Sequence, residues 1–532
     1  MRRTWSAGAL AGGMAVAVGL ASGCGSGEAD AGAAGAPRTG GTLTFAVGSD
    51  SGCVDPQQVG SNDTIYSVRQ LVDSLTDQDP ATGKIVPWLA QSWTVSKDAR
   101  TFTFKLRPGV TFSDGTPLTA EVVKANFDAV PKLGVLGILP KGYLNGYEST
   151  TAVDDLTARV AFKTPNAQFL QATATHSLGI VAAASVRKTP EQRCSEGIIG
   201  SGPFVLSKYT ANQSITLTNR KGYAWGSSLW KKQGGAYLDR LVFKVLPESG
   251  VRTGSLQSGQ VDAIGSVGRA DEAALKAAGV QLPARANPGL VFALNVNNER
   301  FKDEKVRQAI SAGIDRGQIA QTVFPTGTRP ATSILAHTTP GYSDLGSLLA
   351  HDPAKAKSLL DSAGWTAGAD GIRQKDGARL AVTVSWFANA PTNRPSLELI
   401  QQQLKAVGVQ VEIKEQQVAQ FAQVQQSGDF DAIWGNGTRA DPDLLRTSLS
   451  TRLSNVYRLP STPLDEVLDG QAAAADPAER RRLVDQSQRQ VVEHAHVIPV
   501  VELQTVLGVA KKVHDLKFDA SSRIQLHDTW IG

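Results

Sequence analysis

The chain has few of the residues that usually carry metal or redox chemistry: three cysteines, two methionines and seven histidines among 532 residues. Both methionines, Met1 and Met14, lie at the N-terminus. Long hydrophobic runs are also missing, since none reaches the roughly 20 apolar residues that a membrane-crossing helix needs. Charge of one sign is missing too. The formal net charge is only +5 and the basic residues are dispersed, with no basic stripe interleaved with aromatics, which argues against a nucleic-acid partner. The one basic cluster beyond the N-terminus, Arg480, Arg481 and Arg482, falls on a predicted helix, where a solvated face is expected. Catalytic signatures fail as well: there is no Walker lysine loop, no H-E-x-x-H and no G-x-S-x-G elbow. Gly435 to Ala440 imitates a dinucleotide G-x-G-x-x-A after a predicted strand. That site needs a long helix to start there and face the pyrophosphate, whereas Asp441-Pro442-Asp443 restarts the chain as a turn and helix cap. His494 and His496, two apart near a helix end, would point to different sides of a helix, so no metal pair is expected. Neither an enzyme nor a bound metal or cofactor is predicted.

Apolar content of 41% and charged content of 19% are ordinary for a globular protein, and the length implies two or more lobes. Arg2 and Arg3, a mostly apolar run from Ala7 to Ala21 and small residues before Cys24 together describe a secretory signal over residues 1–23. Leu20-Ala21-Ser22-Gly23-Cys24 resembles a bacterial lipobox, in which the cysteine is lipidated. Ala21 stands where such a motif usually has a large residue, so plain cleavage with a free Cys24 is the alternative. Gly25 to Pro37 is Gly, Ala and Ser with one Glu and one Asp, a flexible tether averaging about 20 Å end to end. The chain is therefore expected on the outer face of the membrane, held by its N-terminus. Cys53 and Cys194 then remain as an even pair in an oxidising compartment and are expected to be bridged, two buried free thiols being the alternative.

Past Gly40 the hydrophobic pattern is legible. Gly41 to Val47 alternates like a strand, as does Thr101 to Leu106, with turns at Arg107-Pro108-Gly109 and Asp114-Gly115. Thr119 can cap a helix running to about Val130, and Asp303 one containing Val306, Ile310 and Ile314. Asp352-Pro353 opens a helix that Gly364 can end. Leu380 to Trp386 reads as a strand, Pro395 to Val407 as a helix closed by Gly408, and Val409 to Ile413 as the next strand. Glu479 to Glu493 is helical and Val497 to Val501 an apolar strand. Such alternation indicates an α/β fold, and no repeat of solenoid or propeller length is visible.

Pro87 to Trp93, Thr101 to Val110 and Phe112 to Glu121 together look like the signature block of the family-5 extracellular solute-binding proteins. Those proteins bind dipeptides, oligopeptides, nickel complexes and some sugars and opines. Gly200 to Phe204, Asn295, Val306 to Ala309, Asp352 to Trp365, Asp441 to Asp443 and Ile498 to Val500 continue the resemblance in order, over residues 40–532. It implies a two-lobed α/β clamp of the periplasmic-binding-protein type. Lobe I would span 40–290, with an inserted subdomain at about 80–195 and a return at 500–532, and lobe II would span 291–499. The hinge crossings would lie near Asn287–Asn297 and His496–Glu502. Residues 24–39 would be the lipidated tether.

The resemblance also implies a monomeric binding protein that delivers a peptide or peptide-like solute to the permease subunits of an ABC importer. The alternative is a surface sensor or chaperone-like binder on the same clamp. Ser49, Asp50 and Ser51, in the loop after the first strand, are expected in the cleft. Trp386, Asn389 and Arg394 offer a platform, an amide and a cation, and Trp434, Asn436 and Thr438 lie on the facing segment. Peptide-binding relatives carry an aspartate for the ligand's ammonium in that segment. Gly435 to Ala440 has no acid, and Arg439 there would favour an anion, so the expected ligand lacks a free α-amine at that position.

Overall fold

Strand β1 (Thr42–Val47) inserts Leu43, Phe45 and Val47 into a core and leads through a loop into helix α1 (Asn62–Val68). The computed structural model describes residues 36–532, apart from 388, 389, 418, 419 and 454 and the side chains of 135, 138, 421 and 422. The predicted signal, tether and Cys24 lie outside the described residues. Residues 37–532 gather into one compact unit.

An insert follows α1, with strands β2 (Ala90–Val95) and β3 (Thr101–Leu106), helix α2 (Ala120–Ala129), strands β4 (Tyr147–Asp154) and β5 (Thr157–Phe162), and helix α3 (Pro190–Glu196). Its antiparallel sheet has the order β2-β3-β5-β4. Alternation in β3 buries Phe102, Phe104 and Leu106 while Lys105 is exposed. Phe169 meets Phe102, Phe104, Phe127 and Phe162 edge-on, at centroid distances from 4.8 to 6.2 Å. This aromatic cluster gives the insert its own core. Thr119 caps α2 as predicted, accepting from Val122 N.

The chain then returns beside β1 through β6 (Phe204–Thr210), β7 (Ser214–Asn219), β8 (Arg240–Val245), helix α4 (Ser249–Gln257), β9 (Ala263–Ile264) and helix α5 (Arg269–Ala277). After β10 (Ala284–Ala286) a second body begins. It contains β11 (Gly289–Val296), α6 (Glu304–Ala312), α7 (Arg316–Val323), α8 (Pro353–Ser362), β12 (Ala381–Phe387), α9 (Asn393–Lys405) and β13 (Gln410–Gln416). It continues with β14 (Ala432–Thr438), α10 (Leu444–Leu449), α11 (Pro477–Glu493) and β15 (Ile498–Val501). Strands β16 (Gln504–Val506) and β17 (Gly508–Val509) return to the first body. There the sheet has the order β17-β9-β1-β8-β7-β6, and in the second body β13-β12-β14-β11-β15. Between the two sheets, β10 pairs antiparallel with β16.

Local signals set most of these boundaries. Asp303 and Asp352 cap α6 and α8 through the amides of Lys305 and Lys355, at 2.9 Å each. Ile314 lies just past the end of α6. Helix α11 begins at Pro477, because Asp476 caps it and proline fits the first helical position. Two expectations are corrected. Arg480 is not on a solvated face: its two Nη atoms donate to Asp441 at 2.9 and 2.6 Å. His494 and His496 do not diverge either. The helix stops at Glu493 and Ala495 takes a positive φ of 45°, which brings the two rings to 5.7 Å.

Candidate ligand-binding cleft

The two bodies face each other across a cavity of about 1030 Å³. The first body contributes Ser49, Asp63, Tyr66 and Arg252 together with the segment Ser266–Asp271. Phe324, Thr392, Glu398 and Leu399 line it from the second body, and Asn287 and Thr505 come from the double crossing between the sheets. A cavity at the junction of two bodies, large enough for a small organic solute, is where a clamp holds its ligand.

The wall on the first body is built from the end of β1. Gly48 donates its N–H to Asp63 Oδ2 at 3.1 Å, and Ser49 Oγ donates to the same oxygen at 2.9 Å. Burial raises the Asp63 carboxyl above its ordinary value, while the Ser49 bond and the Arg252 charge pull it back. A Cβ on Gly48 would stand 3.2 Å from Arg252 Nη1 and 3.3 Å from Asp63 Oδ2, so a side chain there would press on both groups. Arg252 is 6% exposed, and its Nη1 donates to the carbonyls of Leu246 and Pro247 at 2.7 Å each. Tyr66 packs edge-on against Phe45 with centroids 5.7 Å apart, and burial together with Asp63 raises its hydroxyl pKa. Across the mouth, Arg269 Nη1 donates to Phe324 O at 3.3 Å, and Thr326 N donates to Glu272 Oε1 at 2.8 Å. These bonds tie the two sides together at one edge.

The residues singled out from sequence fall in different places. Ser49 lines the cavity. Asp50 turns away from it, accepting from Tyr209 Oη at 2.8 Å and from Asn212 N at 2.9 Å. Ser51 donates its N–H to Thr64 Oγ1 at 2.9 Å. Trp386 and Trp434 are both buried in the core of the second body. Trp434 stacks on Phe292 at 5.1 Å and donates to Asn393 Oδ1 at 3.2 Å. Asn389 lies outside the described residues, but its neighbours Ala390, Pro391 and Thr392 line the cavity. Arg394 is exposed and pairs with Glu398 at 2.9 Å. Asn436 is exposed on β14, and Thr438 pairs with Gly289 in the sheet. Arg439 is engaged elsewhere: its guanidinium lies 4.5 Å from the Tyr143 ring centre and donates to Gln168 Oε1 at 3.2 Å. Arg439 is not among the residues that line the cavity.

Gly435 to Ala440 opens no nucleotide site, since β14 runs on to Thr438 and the next helix, α10, has only six residues. Cys53 and Cys194 form a disulfide that fastens the loop after β1 to α3. Beside it, buried Arg193 donates through Nη2 to Asp55 at 3.0 Å and to Gln57 at 2.9 Å. Asp63, Tyr66 and Arg252 stand in segments with no signal of a site, and Asn287 is expected from sequence only as one end of a hinge crossing. Only the meeting of α1, α4 and the crossing strands brings them together. Among the described residues no group of three or more His, Cys, Asp or Glu could hold a metal ion.

Two α/β bodies joined by paired crossing strands, with a solute-sized cavity lined from both, define a solute-binding clamp. The chain belongs to the bacterial extracellular solute-binding proteins of family 5, whose middle-region profile matches residues 84–454. The glutathione-binding protein GsiB of Escherichia coli strain K12 is 26% identical over 496 residues, covering 88% of this chain and 91% of that protein. The structure of NikA from Brucella suis in complex with Fe(III)-EDTA superimposes with a TM-score of 0.81 at 25% identity, covering 92% of this chain and all of the other. The oligopeptide-binding protein AppA of Bacillus subtilis, in complex with a nonapeptide, shares the fold with a TM-score of 0.75 at 20% identity, covering 93% and 100% of the two chains.

Proposed function

We propose that the protein captures a small peptide-like solute between its two bodies and releases it to the permease of an ABC importer, making and breaking no covalent bond. The observation that carries this reading is the cavity of about 1030 Å³, lined from both bodies and from the strands that join them. A ligand that touches both walls stabilises the closed arrangement, and that differential contact makes a clamp a capture device. The names of GsiB and AppA, a glutathione and an oligopeptide binder, support a peptide-like ligand. Gly435 to Ala440 holds no carboxylate, so that segment supplies no partner for a free ammonium. An N-blocked peptide or a comparable amide fits it better. Residues 40–290 with 500–532 would act as one lobe and 291–499 as the other. The protein works as a monomer on the outer face of the cell membrane, held through lipidated Cys24.

Native mass spectrometry of the freshly purified protein is expected to show a retained solute, and calorimetry should favour N-acetylated over free-amine peptides. A protein that retains nothing and binds no peptide of either kind would overturn the ligand class. Cys24→Ser is expected to release the protein into the medium with its melting temperature unchanged. Retention of the variant in the membrane fraction would refute the anchor.

A further inference from the structure

The cleft carries a feature that the clamp itself does not require. Nη1 of Arg252 is saturated by two backbone carbonyls, but the opposite edge of the guanidinium makes no hydrogen bond among the described residues. Nε is buried and has no partner, and Nη2 donates to nothing among the described residues. Nε–H and Nη2–H point the same way along one edge, the fork that takes a carboxylate through two parallel bonds. A second donor on the same cavity is orphaned independently. Asn287 is 4% exposed, its Oδ1 accepts from Thr505 Oγ1 at 2.7 Å, and its buried Nδ2 has no partner. A buried donor left without an acceptor is costly, and two around one cavity point to an acceptor-rich occupant. Arg269 adds a second cation at the rim, with one nitrogen on Phe324 O. Three carboxylates also border the cavity. Asp63 Oδ2 is occupied by Gly48 and Ser49, Glu398 is paired with Arg394, and Asp271 sits in the first turn of α5. None makes a hydrogen bond to the fork.

We propose that the Nε/Nη2 edge of Arg252, with Asn287 on the same cavity and Arg269 at the rim, receives a carboxylate of the bound solute on the first body. The inference rests on the solute-binding reading and adds the end by which the ligand is held. It relocates the anion-favouring role that the sequence suggested for Arg439.

The test is calorimetric titration of the full chain with N-acetylated tripeptides carrying either a free C-terminal carboxylate or the C-terminal amide. A parallel set of simple carboxylates, succinate and N-acetylglutamate, is titrated with their amides. Wild type is expected to prefer acids over amides by about 10–100-fold, the effect of a bidentate charged pair. Arg252→Gln should abolish the preference, and Arg252→Lys, which keeps the charge and loses the fork, should retain only part of it. Arg269→Gln, at an exposed site, should weaken acids by a few-fold and guards against misfolding of the Arg252 variants. Equal affinity for acid and amide, or a preference retained in Arg252→Gln, overturns the fork and leaves solute capture standing. If no peptide binds but the simple acids do, the peptide-like reading falls and the fork survives. If no carboxylate binds at all, the fork falls.

Discussion

His496 shows how much one side chain depends on its surroundings. Its Nδ1 lies 2.9 Å from Asn298 Oδ1, and Asn298 Nδ2 donates to the carbonyls of Val296 and His496. The amide oxygen therefore accepts and the ring nitrogen donates. Burial, with Arg307 and His494 nearby and Glu304 opposing them, lowers the imidazole pKa to about 4. In the unfolded chain the same ring titrates near its ordinary value of about 6.5. Between those values the unfolded state takes up a proton that the folded state refuses, so the stability His496 contributes is present above pH 6.5 and lost as pH falls toward 4. Buried Asp73 and Asp77 act with the opposite sign. Burial raises them to about 7 and about 6, so the stability they contribute is present below their unfolded value of about 3.9 and lost as pH rises through those values. The overall profile is thus flattened, and only a difference isolates the histidine. The stability advantage of wild type over His496→Gln should shrink by about 2 kcal/mol between pH 7 and pH 4.5. Urea denaturation at both pH values checks it, and a constant difference would remove His496 from the account. Asp441 and Arg480 make a companion case, a bidentate pair on residues that sequence alone presents as a turn and a basic cluster.

Among the elements, the loop after β1 is the one whose position depends most on distant chain. Its disulfide joins residues 141 apart, and closing so long a loop in the unfolded chain corresponds to about 5 kcal/mol in the chain-entropy model. The paired Cys53→Ser, Cys194→Ser variant should lose about 2–5 kcal/mol of stability and bind solute more weakly, because Ser49 at the cavity wall follows that loop. Thiol titration of unfolded, unreduced residues 37–532 should find no free thiol, and two reactive thiols would contradict the bridge. Elements of this kind explain what could be read in advance. Strand β3 declares itself by period two, α2 and α6 by their caps, and α8 by Asp352-Pro353, because each signal is local. The family block, the α/β class and solute binding followed from such segments taken in order. The cavity wall did not. Arg252 sits in Ser249–Gln257, a helix with no periodicity that marks it, and Asn287 lies in a short link between two strands. Their meaning arises from tertiary contact alone. The convergence of His494 and His496 depends on the left-handed turn at Ala495, a residue type that gives no warning of it.

At the scale of the molecule, contacts at several places hold the bodies together. Besides the bonds at Arg269 and Thr326, the insert reaches the second body where Arg439 stacks on Tyr143, Ala167 N donates to Ala472 O at 2.9 Å and Gln78 Nε2 donates to Ala440 O at 3.3 Å. Removing the ring by Tyr143→Ala takes away about 0.5–2 kcal/mol of cation–π attraction. Ligand-free protein should then show a larger radius of gyration by small-angle scattering, and solute affinity should fall by about 2–30-fold. An unchanged radius and affinity would show that this contact does not bias the clamp. The arrangement of the sheets also sets the timing of biosynthesis. The second body draws all five strands of its main sheet from one continuous stretch, β11 to β15, so it can close on itself once Val501 has been made. The first body cannot. β17 forms the edge of its sheet beside β9, and Gln70 Nε2 donates to Ile524 O, 454 residues further along. At ordinary synthesis rates of about 5–20 residues per second, the early strands wait roughly half a minute or longer for the segment that seals them. During that interval the nascent first body lacks its finished core, and β9 keeps bare the edge that β17 later covers.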